Sequence, residues 1–159
     1  MKAMLKLDIP GSTIMELQFL VLDYNGTIAC DGRLIPGVMN RITDLAKSLS
    51  VHILTADTFG SVRTELNGIP CETAIIPKGK QAEAKADYIR QLGAEHCVCV
   101  GNGRNDALML KEAKLGIAVI QTEGAALEAL LAAHVLTSGI LDALDLLRHP
   151  LRLAATLRS

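Results

Sequence analysis

Short apolar runs and helical stretches alternate along nearly the whole chain, and this alternation limits the fold more than any other feature. Residues 3–8, 14–22, 51–55, 73–76, 97–100, 116–120 and 134–137 have the length and content of strands. Between them, 38–48, 59–67, 80–92, 104–114 and 124–133 have helical patterns. A last helix follows Gly139, with Pro150 marking a break or its end. Turn chemistry separates these segments: Pro10-Gly11, Asn25-Gly26, Asn67-Gly68 and Pro77 to Gly79. Asp57 and Thr58 are placed to cap the helix at 59–67. In the helix at 80–92, Ala82, Ala86, Ile89 and Leu92 provide an apolar side, while Lys80, Glu83, Lys85 and Arg90 favour solvent. The pattern predicts an α/β fold: a three-layer α/β/α sandwich around a doubly wound, mainly parallel sheet. The expected organisation is a single domain over 1–159, with an N-terminal strand or hairpin extension before Asp23.

A chain of 159 residues is long enough for one domain with a hydrophobic core. Half of its residues are hydrophobic but only 3% are aromatic, so that core is aliphatic. Stacking platforms for single-stranded nucleic acid are correspondingly scarce. Sixteen basic and 17 acidic residues leave a net charge of -1, so no nucleic-acid partner is expected. No apolar stretch reaches the length of about 18 residues that a membrane span needs, so no membrane partner is expected either. The opening MKAMLKLDIPGSTIM breaks at Asp8-Ile9-Pro10-Gly11 and lacks a secretory pattern. Cytoplasmic residence is the expectation. Cys30, Cys71, Cys97 and Cys99 lack CxxC spacing, and the last two, inside an apolar run, read as buried thiols.

In a doubly wound sheet, polar residues just past several strand ends converge on one crevice. Here they are Asp23 and Asn25, Thr55 and Asp57, Lys78 and Lys80, and Asn102, Asn105 and Asp106. A strand-end carboxylate such as Asp23 can attack phosphorus and form a transient aspartyl phosphate. Mg2+ would offset the repulsion between that carboxylate and a phosphate. Asp23, Asp106, Asn102 and the carbonyl of Asn25 are the oxygen donors available to it. The Thr55 hydroxyl can donate to a phosphate oxygen, with Ala56 beside it. Gly26 and Thr27 can shape a phosphate nest. Of the lysines, Lys80 is preferred over Lys78 and Lys85 because it opens the following helix. Each residue also has a plain structural reading: a turn at Asn25-Gly26, a cap at Thr55–Asp57, solvated lysines, and a flexible helix start at GNGRND.

The fragments LDYNGT, ILTAD, PKGK and VGNGRNDALML, in this order, resemble the haloacid dehalogenase-like superfamily. The likeness is strongest to the phosphorylation domain of P-type ATPases and its small relatives, and runs from about Leu22 to Thr137. It implies a phosphate-accepting Asp23, a phosphate-binding Thr55, an active lysine at Lys80, metal-site positions at Asn102 and Asp106, and a supporting Asn105. It also implies a site without a large cap, which a dimer or tetramer would help to cover. Two positions depart from the family pattern. Asn25 stands where many of its phosphatases have an aspartate that shuttles protons, and an amide cannot do that. Asn102 replaces an aspartate and brings less charge to a metal.

The leading expectation is therefore a magnesium-dependent phosphomonoester hydrolase acting on a small phosphorylated substrate. The alternatives are a phosphate- or metal-binding regulatory protein with reduced catalysis, and a structural or assembly protein using only the scaffold.

Overall fold

The computed structural model describes residues 4–57 and 60–159. Ala3, Thr58 and the first residue of the helix expected at 59–67 lie outside them. The strands are β1 (Leu5–Asp8), β2 (Ile14–Leu17), β3 (Phe19–Asp23), β4 (Ala29–Cys30), β5 (Arg33–Leu34), β6 (Ser50–Thr55), β7 (Glu72–Ile75), β8 (Cys97–Gly101), β9 (Leu115–Val119) and β10 (Val135–Thr137). The helices are α1 (Val38–Leu45), α2 (Ser61–Glu65), α3 (Gln81–Leu92), α4 (Ala107–Glu112), α5 (Leu127–Ala132), α6 (Ile140–Arg148) and α7 (Pro150–Leu157).

Six strands form one parallel sheet in the order β10-β9-β8-β3-β6-β7. β3 lies inside it, and the chain winds outward from β3 in one direction before crossing to β8 and winding outward in the other. Strand alternation then assigns the two faces. Leu20 and Leu22 of β3, Val98 and Val100 of β8 and Leu115, Ile117 and Val119 of β9 face α1, α6 and α7. Val21, Cys97, Cys99 and Ala118 face α3, α4 and α5. Helices thus cover both faces of the sheet, as the alternating pattern predicts. Each fully buried leucine or valine contributes about 1.5–3 kcal/mol to this arrangement. Gly116 shows how closely α4 approaches: a Cβ there would lie 2.3 Å from the Leu110 carbonyl oxygen. Cys97 and Cys99 are buried, as the apolar run CVCV predicts.

Several boundaries differ from the sequence expectation. The run at 14–22 is two strands, because Gln18 changes partners between them. Its N–H donates to His96, and its carbonyl accepts from Ser50. β1 and β2 form a separate antiparallel pair, while β3 enters the large sheet. The helix expected from 124 starts only at Leu127, because Gly124 is in a left-handed turn and Ala126 donates its N–H to the Asn102 carbonyl. Pro150 proves to be a break: α6 stops before it and α7 begins on it, where the missing N–H leaves no helical bond unmade. Between β3 and α1 there is only the short β4–β5 hairpin, so the site has no large cap. Among the described residues, no helix is long and apolar enough to cross a membrane.

Candidate active site

Asp23 is the last residue of β3, paired in register with Leu54 of β6; Leu22 is paired with Val100 of β8. Parallel registers of this kind bring the strand ends level. Thr55 therefore lies next to Asp23 on one side, and the turn after Gly101 lies on the other. The sheet changes winding direction between β3 and β8, the place where such sheets open a crevice. A cavity of about 630 Å³ lies there, lined by Asp23, Asn25, Thr55, Ala56, Asp57, Lys85, Asn102 and Asn105, among others. The Thr55 hydroxyl oxygen accepts the Asp57 N–H at 3.1 Å, which leaves its proton free to donate. The Asp57 carboxylate accepts the Ser61 hydroxyl at 2.7 Å, a side-chain bond, while the N-cap of α2 is Gly60 with no side-chain capping bond, so the cap expected from Asp57 is not formed.

The lysine that reaches the carboxylates is Lys85, and the assignment to Lys80 is corrected. Lys80 is exposed, in a left-handed conformation just before α3. Lys85 is only 2% exposed. Its Nζ donates to Asp23 Oδ1 at 3.0 Å, to Asp106 Oδ1 at 2.7 Å and to Asn105 Oδ1 at 3.4 Å. The reason lies in helix geometry. Side chains on a helix tilt toward its N-terminus, and the N-terminus of α3 lies at the C-terminal edge of the sheet. A lysine one turn inside the helix reaches back to Asp23, whereas Lys80, at the N-cap position before the first turn, stays exposed. The expectation that Lys85 faces solvent fails for the same reason. It shares the inward stripe with Ala86 and Ile89.

Burial pushes the Asp23 carboxyl up to about 7, with Asp106 adding to the rise and Lys85 opposing it. Burial also works to lower the Lys85 pKa, but the attraction of Asp23 and Asp106 outweighs it and holds the ammonium above its ordinary value. The three groups act as one buried charged unit.

Asp106 lies beneath Lys85 and does not line the cavity. It is fully buried. Its Oδ2 accepts the N–H groups of Asn102 at 3.1 Å and Gly103 at 2.9 Å. Its geometry is that of a carboxylate holding the lysine and the turn after β8. Gly26 and Thr27, expected at a phosphate nest, are buried and also absent from the cavity lining. Thr27 Oγ1 lies 3.3 Å from both Asp23 Oδ2 and Asn102 Oδ1, so its proton ties those two residues together. Gly26 is required by close approach: a Cβ would meet the Asn102 amide nitrogen at 2.5 Å.

Among the described residues, no three of His, Cys, Asp and Glu are grouped so as to hold a metal by themselves. The cavity instead offers oxygen atoms of mixed charge from Asp23, Asn25 and Asn102. Such a set fits a hard cation that retains several waters, as magnesium does. Asn102 has its own reason to be an amide. Its Nδ2 donates to the Gly124 carbonyl at 3.1 Å, and an aspartate would set oxygen against oxygen there. Asn102→Asp is therefore expected to lower the stability of the metal-free protein by about 1–3 kcal/mol. Added magnesium should recover more stability in this variant than in the wild type. Thermal melting with a chelator and then with magnesium checks both; equal melting of the two proteins in chelator would refute the role of the Gly124 bond.

No family model matches the chain. It is 42% identical over 84 residues to "Uncharacterized protein MJ0073" of Methanocaldococcus jannaschii, an alignment covering 50% of this chain and 90% of that one. Its architecture is similar to that of 3-deoxy-D-manno-octulosonate 8-phosphate phosphatase from Moraxella catarrhalis, solved in complex with magnesium, phosphate and a KDO molecule. The TM-score is 0.65 at 15% identity, covering 89% of this chain and 94% of that one. A zinc-transporting PIB-type ATPase in its E2.Pi state matches with a TM-score of 0.58 at 26% identity, over 77% of this chain and 20% of the ATPase. The alignment groups this chain with MJ0073, and its sheet order, with a strand-end acid and the ordered motifs, gives it the fold of haloacid dehalogenase-like hydrolases.

Proposed function

We propose that the protein is a phosphomonoester hydrolase that works through an aspartyl phosphate on Asp23 and uses magnesium. The observation that carries this reading is the buried Lys85 ammonium bonded to the Asp23 carboxylate at the floor of an open polar cavity. An oxygen of ionised Asp23 attacks phosphorus, the bond from phosphorus to the ester oxygen breaks, and the departing oxygen takes up a proton. Water then attacks the same phosphorus, which releases phosphate and restores the carboxylate. Lys85 and the Thr55 hydroxyl donate to the transferred oxygens as charge builds on them. Asp23, Asn102 and the Asn25 carbonyl would hold magnesium, which neutralises charge on the phosphoryl group. The phosphatase similar in architecture, solved with magnesium and phosphate, supports the same reading.

Asn25 lines the cavity and cannot shuttle a proton. Its presence favours slow hydrolysis and an accumulating phosphoenzyme. It also supports a second reading, in which the protein takes up a phosphoryl group or binds phosphate as a regulator. Phosphate release from a panel of phosphomonoesters, with and without magnesium, separates the two. Release that requires both magnesium and Asp23 supports hydrolysis. No release from folded wild type, or equal release by Asp23→Asn, removes it.

The cavity also bears on the substrate. Asp31, Asp57 and Glu123 line it beside Asp23, and Lys85 is its only lysine or arginine among the described residues. A leaving group carrying a second anion meets this rim with repulsion. Esters of neutral or aminated alcohols are expected to exceed matched esters of hydroxy acids in kcat/KM by roughly tenfold, equivalent to about 1.4 kcal/mol. The preference should shrink with added salt, because the rim is exposed. Equal rates for the two classes at low salt would refute it.

A further inference from the structure

The loop that follows β9 carries a residue whose position none of the strand-end motifs explains. Gln121 is half-buried, and its carboxamide uses all of its main bonding directions on backbone. Nε2 donates to the Gly26 carbonyl at 3.0 Å and to the Thr27 carbonyl at 2.6 Å. Oε1 accepts the Ile140 N–H, at the start of α6, at 3.0 Å. One side chain thereby joins the turn after Asp23 to two further elements of the fold.

That turn is already folded on itself. The N–H groups of Thr27, Ile28 and Ala29 all point to the Tyr24 carbonyl, and Gly26 donates to Ala29. Internal bonds set its shape but not its position relative to the sheet. Gln121 supplies the external attachment at Gly26 and Thr27. Thr27 passes the constraint on, since its hydroxyl lies 3.3 Å from Asp23 Oδ2 and Asn102 Oδ1. Gly26 packs directly against the Asn102 amide. A small movement of this turn therefore shifts the attacking carboxylate and the amide beside it together.

We infer that Gln121 is a positioning residue for the Asp23 nucleophile, acting through Gly26 and Thr27 without touching substrate. The inference rests on the proposed phosphoryl transfer for its kinetic consequence, but the attachment itself does not. Gln121→Glu keeps the size and the acceptor for Ile140 while it turns a carboxylate toward two carbonyls. Gln121→Met removes the donors without that repulsion. Misplacing a reacting group by about 1 Å costs on the order of a hundredfold in rate. Both variants are therefore expected to lose roughly tenfold to a hundredfold in kcat, with KM within about threefold of wild type and the glutamate more affected.

The experiment measures kcat and KM for wild type, Gln121→Glu and Gln121→Met on the best substrate of the panel, with melting curves to establish folding. Folded variants that keep wild-type kcat overturn the inference, even if they melt earlier. If the wild type itself releases no phosphate, the proposed function fails, and the attachment is judged on amide hydrogen exchange at Thr27, Ile28 and Ala29. Exchange at least about tenfold faster in Gln121→Met supports it through local opening; unchanged exchange overturns it.

Discussion

Lys85→Met should abolish most phosphate release and destabilise the fold, whereas Lys80→Ala should do neither. Lys85 is the one cation bonded to Asp23 and Asp106 among the described residues. Removing one partner from a buried charged unit leaves the others without compensation, at a cost of about 3–5 kcal/mol. Losing one preorganised donor to a developing oxyanion typically costs 10²–10³ in kcat, so roughly a hundredfold loss or more is expected. Lys85→Arg tests the same contact without discarding charge: the wider planar group fits poorly between two carboxylates and should restore stability better than rate. Lys80 is exposed, so its alanine variant should stay within about 0.5 kcal/mol and twofold of wild type. Melting curves and kcat/KM for the three variants check this directly. A severe loss in Lys80→Ala, with Lys85→Met active, would return the catalytic role to Lys80.

Asp23→Asn should eliminate Asp23-dependent phosphate release to the detection limit, because an amide neither attacks phosphorus nor accepts the phosphoryl group. The same variant is expected to be more stable than wild type in chelator near pH 8. The sign follows from the folded carboxyl, which titrates at about 7, against an ordinary value of 3.8. Between those values the folded state holds a proton that the unfolded state has released, so stability falls as pH rises through the window. Asparagine avoids that loss. Its advantage should be a few kcal/mol near pH 8, seen as a higher melting temperature than wild type, and should shrink toward pH 4. Lys85 titrates far above this window and remains charged throughout it, its pKa being raised. A wild type whose stability rises from pH 4 to 7 relative to Asp23→Asn would show that attraction to Lys85, and not burial, governs the carboxyl.

Much of this was legible in the chain because it depends on neighbours in sequence. The alternation of runs such as VHILT and GIAVI with helical stretches sets layers, and strand-end polarity marks the edge where a site opens. Asp23 and Thr55 could be placed there because each directly follows an apolar run, and Asn102 because only Gly101 separates it from one. Lys85 could not be placed so easily. Its neighbours Glu83 and Asp87 are exposed, and its charge reads as solvated until the partner carboxylates are located. The clue was positional: Lys85 lies beside Ala86 and four residues before Ile89 on the stripe that packs inward. Gln121 left still less trace, since the two carbonyls it donates to lie 95 and 94 positions away.

What the sequence alone determined is a property of local order: which segments become strands, which become helices, and that Asp23 ends a strand. Tertiary structure decided which distant groups share charge and hydrogen bonds. It drew Lys85 down to two carboxylates, turned Asp106 from the cavity to hold that lysine, and made Asn102 a tie to Gly124. The physical reason is that burial makes an unpaired charge or polar group costly, so its partner is chosen by proximity in space, which the side-chain period of a single helix or strand does not encode.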